Sequence, residues 1–354
     1  MLNFKKLKHK PYIIAEIGIN HNGYLNLAKK MIIEAKKAGA NAVKFQKRDV
    51  DDLVNFNTNP GKSNGYLSKN EKDIKKKKLK FGTWVYPDTR LELNLKDYKQ
   101  IKKIVKQNKI DLIITPWDEK SVEFVLGLGV DSLKIASIDA NNYQFCEYIA
   151  KKKYPTIIST GMCTYKEILI TQKIFKKYKA PHIFLHCTSA YPSDEKDKNL
   201  NCIPKLKKLL GEDVGFSGHG TGVVGAIGAT TLGAKIIEKH VTLNKKMLGP
   251  DHAASLEFST FKEMTDLCKK AYISLGSSEK KFLDSEKVLH NVLSRKMVVR
   301  KTINKGKIIQ SSFIKPALTY QKKGLHPKNF YKIIGKKTKK ILIKGHIILK
   351  NDLK

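Results

Sequence analysis

Two lysines and three serines fall at or near the carboxyl ends of short apolar segments. Lys44 and Lys134 lie within two such segments, and Ser137, Ser159 and Ser217 end the same or neighbouring ones. Ammonium groups and hydroxyls are the side chains that surround a phosphate or a carboxylate. For either lysine alone a solvated strand end is the competing interpretation, but the five residues together predict an anion-binding site.

Two histidines end consecutive segments further along the chain. These are His219 and His240, and Glu238 lies beside the second. Imidazoles at the ends of adjacent strands can share one divalent ion, whereas a single histidine is more often a hydrogen-bonded structural residue. Glu16 ends the first segment, and we expect it to stay ionised among lysines and to act as a base or orient a substrate hydroxyl. A structural ion pair is its alternative role.

Eight segments rich in apolar and β-branched residues predict buried strands. They cover 12–18, 42–46, 111–115, 132–137, 156–160, 183–188, 214–217 and 235–240. The stretches between them have helical periodicity, and Thr164 with Glu167 three residues later predicts a capping box for one helix. Eight βα units within residues 1–276 predict an α/β fold, a (β/α)8 TIM barrel, which collects the carboxyl ends of its strands at one rim.

The pattern changes twice along the chain. Residues 48–94 form a long polar insertion, and loops of this length are usually lids, binding loops or disordered segments. A linker is predicted at 277–284. Residues 285–354 are strongly basic and combine short β-like runs with glycine turns, which predicts a separate small β-rich domain.

Composition narrows the possible function classes. The net charge is +37, yet only four of the 69 basic residues are Arg, the residue that reads guanine and stacks on bases. Solvated lysine faces are therefore favoured over a nucleic-acid partner. The five cysteines form no CxxC pair, which predicts reduced thiols. No apolar run approaches about 18 residues and no signal-peptide pattern is present, so we expect a cytoplasmic protein without a membrane partner.

Three glycines, Gly220, Gly222 and Gly225, fit the pattern G-x-G-x-x-G. In a doubly wound sheet this pattern would bind a dinucleotide, but here it falls at the seventh βα unit without a full half-fold after it. In a barrel, a glycine-rich loop at that place commonly binds phosphate through backbone N–H groups and a helix N-terminus. The barrel interpretation is favoured.

Longer stretches of the chain resemble the sialic acid synthase family. The segments that carry the resemblance are IIAEIGINHNG (13–23), AGANAVKFQKRD (38–49), LKIAS (133–137), STGM (159–162), HCTSAYP (186–192), GFSGHGTG (215–222), AKIIEKHVTL (234–243) and GPDHAASLE (249–257). The resemblance implies a (β/α)8 barrel followed by a small antifreeze-like (SAF) domain at 285–354. It also implies a domain-swapped homodimer.

The resemblance further implies a reaction and its residues. Phosphoenolpyruvate would condense with an N-acetylmannosamine-type sugar to give a nine-carbon 2-keto acid and phosphate. Phosphoenolpyruvate would be bound by Lys44, Lys134, Ser137, Ser159, Ser189 and Ser217. A divalent metal, Mn²⁺ or Mg²⁺, would be bound by His219 and His240. Together with Glu16 these two histidines would be the catalytic residues. The sugar would contact Asp139, Tyr191 and Asp251.

Some residues differ from the family's pattern, and the differences affect which acceptor sugar is expected. Asp139 stands where many bacterial members have Glu, and Ile138 replaces Gly. No Arg follows Arg300, although bacterial members use one in the tail to touch the N-acetyl group, and only lysines are available from 315 to 324. A diacetamido-trideoxyhexose leading to legionaminic or pseudaminic acid, or a phosphosugar, therefore stays open as the acceptor. A polyanion-binding protein is the alternative of a different class.

Overall fold

Eight parallel strands close into a barrel in the first part of the chain. The computed structural model describes residues 1–7, 10–49, 53 and 91–354. Strands β1 to β8 pair in chain order, and β1 also pairs with β8, which closes the sheet. The predicted (β/α)8 barrel is confirmed. Most of the predicted insertion at 48–94, namely 50–52 and 54–90, lies outside the described residues.

The strands follow the apolar segments closely. Their bounds are β1 Tyr12–Gly18, β2 Ala42–Lys47, β3 Asp111–Pro116, β4 Ser132–Ile135, β5 Thr156–Ser159, β6 His182–Cys187, β7 Val214–Gly218 and β8 Ile236–Thr242. A two-residue strand, β9 (Leu256–Glu257), pairs with the end of β8. Strand β4 is shorter than the predicted 132–137, because a 3-10 turn at Ser137–Asp139 replaces the ladder with local hydrogen bonds.

Helices alternate with the strands and pack their apolar stripes on the sheet. Their bounds are α1 Leu25–Lys37, α2 Leu95–Gln107, α3 Glu119–Leu128, α4 Tyr143–Lys151, α5 Tyr165–Lys177, α6 Cys202–Leu210, α7 Val224–Thr231 and α8 Phe258–Ser274. In α1 the buried stripe is Ala28, Met31, Ile32 and Ala35, spaced as a helix requires. The predicted capping box is present at α5, where Thr164 and Glu167 bond to each other's backbone N–H.

The barrel interior divides into an apolar end and a polar end. In β1, Ile14 and Glu16 project to the same face of the sheet because side chains alternate along a strand. The amino-terminal layer is a buried cluster of Tyr12, Ile14, Ala42, Ile113, Ile157, Ile183, Leu185 and Ile236. The N-terminal residues Leu2, Phe4 and Leu7 pack against this cluster. An apolar floor therefore lies beneath the charged residues that occupy the carboxyl-terminal end.

The chain divides into two compact units, Met1–Gly276 and Ser277–Lys354. The second unit contains helices α9 (Lys287–Leu293) and α10 (Phe330–Ile333), and antiparallel strands β10 (Lys296–Val299) and β11 (Ile314–Ala317). Isolated bridges add further β pairing, and the unit has its own aliphatic core. Helix α9 lies in a part of the chain for which only β-like runs were predicted, and its apolar residues are exposed. The identity of this unit as an SAF domain stays a prediction.

Within the described ranges, no helix combines the length and the apolar character needed to cross a bilayer.

Candidate active site

A cavity of about 410 Å³ opens at the carboxyl-terminal end of the barrel. This volume is within the usual range for small-molecule sites. The predicted site residues that line it are Glu16, Lys44, Lys134, Ser137, Ser159, Ser189, Tyr191, Ser217, His219, His240 and Asp251. Further lining residues are Gln46, Thr115, Trp117, Ala136, Ile138, Met162, Glu238 and Pro250. Residues from all eight strands or the loops after them thus meet at one mouth.

Strand register places one ammonium between two carboxylates. Glu16 is paired in register with Lys44 on one side and with His240 on the other. Lys44 Nζ lies 2.9 Å from Glu16 Oε2 and 3.7 Å from Glu238 Oε1, and all three side chains are buried. Lys44 also donates to Thr115 Oγ1 at 3.2 Å. The carboxylates hold Lys44 in its charged form, since burial alone would lower its pKa but their attraction raises it.

The two carboxylates have opposite pKa shifts. Burial, helped by the Glu238 charge, raises the pKa of Glu16 in spite of Lys44. Burial acts on Glu238 as well, but Lys134 and Lys44 outweigh it and lower its pKa. Complete burial beside a second carboxylate thus acts against the ionised form of Glu16, while the ion pair with Lys44 favours it.

Lys134 holds a second buried ammonium in the same cavity. Its Nζ donates to Ser159 Oγ at 2.6 Å and to the Ile135 carbonyl at 2.9 Å. Burial lowers the pKa of Lys134 to about 8, with Glu238 acting in the opposite direction. No carboxylate lies within ion-pair distance of Lys134 among the described residues. Its charge is therefore available to an incoming anion.

Hydroxyls surround the two ammonium groups. Ser217 donates to Glu238 Oε1 at 3.0 Å, and the Gly161 N–H donates to Ser137 Oγ at 3.1 Å. Gly161 permits this packing, because a Cβ there would lie 2.1 Å from Ser189 Oγ and 2.8 Å from Ser137 Oγ. Two cations with several hydroxyl donors form a site suited to phosphate and carboxylate groups.

The two predicted metal ligands lie side by side. The ring centroids of His219 and His240 are 5.4 Å apart. His219 Nε2 is hydrogen bonded to Tyr191 Oη at 2.8 Å, and its Nδ1 lies 2.9 Å from the Thr188 carbonyl oxygen. His240 Nδ1 is buried without a hydrogen-bond partner in the described part of the chain, 3.7 Å from Asp251 Oδ2. Burial lowers the pKa of His240 well below its usual value, so its imidazole is neutral.

This donor set fits a divalent ion in its chemistry. A neutral imidazole is the form that binds metals, and His240 Nδ1 is an orphaned buried nitrogen beside a carboxylate. Within the residues that the structure describes, no group of three or more histidine, cysteine or acidic side chains is already assembled around one point. The protein would thus supply two imidazoles, with oxygens of substrate or water completing the coordination.

Asp139 is the one predicted site residue that does not line the cavity. It lies in the 3-10 turn after β4 and accepts a hydrogen bond from Asn142 Nδ2 at 3.2 Å. Its neighbour Ile138 lines the cavity instead. Asp139 thus lies in the turn that ends β4 early, and the strand prediction, which ended at Ser137, contained no signal for that turn.

The sequence interpretation missed other lining residues. Thr115 ends β3 in the same way as the predicted serines end their strands, so a strand-end hydroxyl was an available signal. Trp117 and Met162 follow β3 and β5, and nothing in their types marked them. The glycine-rich loop of Gly220 to Gly225 follows β7 of a closed barrel, which excludes the doubly wound sheet of a dinucleotide site.

Comparison with known proteins identifies the family. The model of the NeuB family matches residues 31–280. The chain is 34% identical to the N,N'-diacetyllegionaminic acid synthase of Legionella pneumophila, over 96% of this chain and 93% of that one. It is also 34% identical to the N-acetylneuraminate-9-phosphate synthase of Homo sapiens, over 93% and 89%. The crystal structure of the N-acetylneuraminic acid (sialic acid) synthetase from Leptospira borgpetersenii is 32% identical, with a TM-score of 0.67, covering 79% of this chain and 90% of that one. The chain with its closed barrel and charged cavity belongs to the NeuB family of synthases.

Proposed function

We propose that this enzyme condenses phosphoenolpyruvate with an N-acetylmannosamine-type sugar to give a nine-carbon 2-keto acid and phosphate. The observation that carries the proposal is the pair of buried ammonium groups, Lys44 and Lys134, in one cavity with several serine hydroxyls. Phosphoenolpyruvate has a phosphate and a carboxylate, and the site has separate cations for both. The names of the relatives support an amino sugar as the second substrate.

Phosphoenolpyruvate would be bound by Lys44, Lys134, Ser137, Ser159, Ser189 and Ser217. An anion entering this buried site replaces its hydration shell with ammonium and hydroxyl donors that the barrel already holds in place. Lys134 gains an anionic partner that it lacks among the described residues. Binding therefore also compensates the unfavourable burial of its charge.

The acceptor half would lie beside Tyr191 and Asp251, which line the cavity next to the two histidines. Asp139, for which the resemblance implies a sugar contact, does not line the cavity and is not part of this proposal. Two relatives of equal identity are named as synthases of different products, N,N'-diacetyllegionaminic acid and N-acetylneuraminate 9-phosphate. A diacetamido-trideoxyhexose or a phosphosugar is accordingly the alternative acceptor for the same chemistry.

The reaction forms one C–C bond and breaks one C–O bond. C3 of phosphoenolpyruvate attacks the aldehyde carbon of the open-chain sugar, and the aldehyde oxygen takes up a proton. Water adds at C2 and loses one proton, and the C–O bond to phosphate then breaks as the new C2 hydroxyl gives its remaining proton to the departing phosphate, which leaves the 2-keto acid and hydrogen phosphate. Glu16 is the candidate base or water-orienting group, since a raised pKa makes its carboxylate a better proton acceptor.

We assign the metal position to His219 and His240, with Mn²⁺ or Mg²⁺ as the ion. When bound, the ion would polarise the sugar aldehyde as a Lewis acid, an effect worth several kcal/mol. Tyr191 holds His219 through its Nε2 in the present arrangement, so metal binding requires this hydrogen bond to be exchanged. His240→Ala is expected to abolish metal-dependent turnover while metal-free phosphoenolpyruvate binding persists, as measured by calorimetry.

The decisive experiment measures phosphate release from phosphoenolpyruvate with Mn²⁺ and a panel of acceptors. The panel contains N-acetylmannosamine, its 6-phosphate and a diacetamido-trideoxyhexose, with mass spectrometry of each product. Lys44→Met is the matched inactive variant. Release with none of the sugars, from folded and metal-loaded protein, rejects the proposal, and the product mass distinguishes the acceptors.

The resemblance also implies a domain-swapped homodimer, and we propose this assembly for the chain. Light scattering of the full-length protein is expected to give twice the chain mass of 40.1 kDa. A monomer that retains full turnover would contradict the proposal.

A further inference from the structure

Two motifs contain residues to which the proposed function gives no role, N-H-N at 20–22 and, apart from Asp251, G-P-D-H at 249–252. The first follows β1 and the second follows β8. The structure brings them into contact although His252 and Asn22 are 230 residues apart. We call the side chains of Asn20, Asn22, Thr242, His252 and Ser255 the loop latch.

His252 is the centre of the loop latch. Its side chain is fully buried, with Nδ1 2.7 Å from Thr242 Oγ1 and Nε2 3.3 Å from Asn22 Oδ1. The amide oxygen of Asn22 can only accept, so His252 Nε2 must donate the hydrogen bond. Burial lowers the pKa of His252 to about 4, so the ring is neutral and Nδ1 accepts from the Thr242 hydroxyl. The two contacts thereby fix one tautomer and one ring orientation.

Asn22 bonds the same loop a second time. Its Nδ2 donates to the Leu248 carbonyl at 2.8 Å. Gly249 lets the backbone pass close to the histidine, because a Cβ there would lie 2.4 Å from His252 Cδ2 and 3.0 Å from Asn22 Oδ1. Asn22 itself has φ +50°, a left-handed conformation that Asn tolerates better than most residues. The close contact between the two loops thus restricts which residue types can occupy positions 22 and 249.

Asn20 and Ser255 connect the loop latch to the cavity. Asn20 Nδ2 donates to Ser255 Oγ at 2.9 Å and to the Val241 carbonyl at 2.8 Å. Ser255 Oγ donates in turn to the backbone carbonyl of Asp251 at 2.6 Å. Asp251 lines the cavity, and its carboxylate lies 3.7 Å from His240 Nδ1. Most hydrogen bonds of the loop latch therefore involve the 248–255 segment, which carries Asp251.

We propose that the loop latch sets the affinity for the acceptor sugar by fixing the 248–255 loop, with His252 and Asn22 as positioning residues for Asp251. The inference rests on the proposed function, since it assigns Asp251 to the sugar half of the site. Lys44 and Lys134 lie on β2 and β4 and make no hydrogen bond to the loop latch. Loosening the loop should thus weaken sugar binding and leave the phosphoenolpyruvate half intact.

Two variants of the full-length protein test this inference. His252→Phe keeps a buried ring but removes both hydrogen bonds, and Asn22→Asp keeps the φ tolerance but removes the donor to Leu248. We expect the KM for the sugar to rise about tenfold, which corresponds to about 1.4 kcal/mol, with the KM for phosphoenolpyruvate changed less than about twofold. Hydrogen–deuterium exchange of the 248–255 segment is expected to be faster in both variants.

His182→Phe is the matched control. His182 is a half-buried histidine at the start of β6, at the opposite end of the barrel from the cavity. Its substitution is expected to lower the thermal midpoint without changing either KM, which separates positioning from general destabilisation. Should His252→Phe not fold, Asn22→Asp alone decides the question.

Two results would overturn the inference. One is unchanged exchange of the 248–255 segment in both variants, and the other is an equal rise of both KM values. Absence of synthase activity in the unmodified protein would instead defeat the proposed function, while the exchange measurement would still report on the loop latch.

Discussion

Two lysines of the same cavity differ because of their immediate neighbours. Lys44 lies between two carboxylates, which raise its pKa, whereas burial lowers the pKa of Lys134 to about 8. At neutral pH both are charged, but only Lys134 is close to losing its proton. Its titration should therefore be visible in the kinetics of the free enzyme.

We expect kcat/KM for phosphoenolpyruvate to fall as the pH rises through about 8. A lysine whose pKa is lowered by burial is protonated below that value and neutral above it, so the site loses one of its two cations. The measurement is a pH profile of kcat/KM at saturating sugar. Lys134→Arg keeps its charge at all these pH values, and persistence of the same decline in that variant would contradict the assignment.

Gly161 leaves no room for a side chain in the site. Gly161→Ala would bring a methyl group to 2.1 Å from Ser189 Oγ. We expect kcat/KM for phosphoenolpyruvate to fall by at least about tenfold, equivalent to about 1.4 kcal/mol, because two anion-binding hydroxyls must move.

Gly127→Ala is the control for this substitution. Gly127 lies in α3 with no atom within 4 Å of the added Cβ. This change should stabilise the protein by about 0.5–1 kcal/mol in urea denaturation, through helix propensity, and leave the kinetics unchanged. Equal kinetics for the two variants would show that the Gly161 contact is unimportant.

At the level of elements, most barrel strands present two kinds of chemistry. Successive inward residues are aliphatic near the amino end and polar near the carboxyl end, as with Ile14 and Glu16 in β1. The helices contribute little to the cavity and much to keeping the strands in register. Changes at helix ends should accordingly affect stability and not catalysis.

Thr164→Ala tests this separation. The variant loses the side-chain acceptor of the α5 capping box and is expected to lose about 1 kcal/mol of unfolding free energy. Urea denaturation measures the loss, and both KM values should be unchanged. Thr164→Ser keeps the hydroxyl and should retain most of the stability. A large kinetic effect in Thr164→Ala would contradict the separation.

For the molecule as a whole, the net charge of +37 matters because the proposed substrate phosphoenolpyruvate is an anion. A net positive field attracts phosphoenolpyruvate to the barrel and does nothing for a neutral sugar. Most of the described lysines are on the surface of the protein. The two that line the cavity, Lys44 and Lys134, are buried inside the barrel.

Salt should weaken this attraction. Raising ionic strength from about 0.01 M to about 1 M shortens the Debye length from about 30 Å to about 3 Å. We expect kcat/KM for phosphoenolpyruvate to fall over this range and that for N-acetylmannosamine to change little. A parallel fall of both values would indicate a general salt effect on the enzyme and would contradict steering by the net charge.

The amino-acid pattern alone was enough to predict the order of elements, the closed barrel and most of the residues at its mouth. Period-two and helical patterns are local, so they can be recognised without the fold. Three features follow only from the folded chain: Glu16 and Glu238 share Lys44, a 3-10 turn containing Asp139 ends β4, and Asn22 contacts His252. These outcomes depend on strand register, on burial and on contacts between residues up to 230 positions apart, and such long-range terms leave no mark in a local pattern.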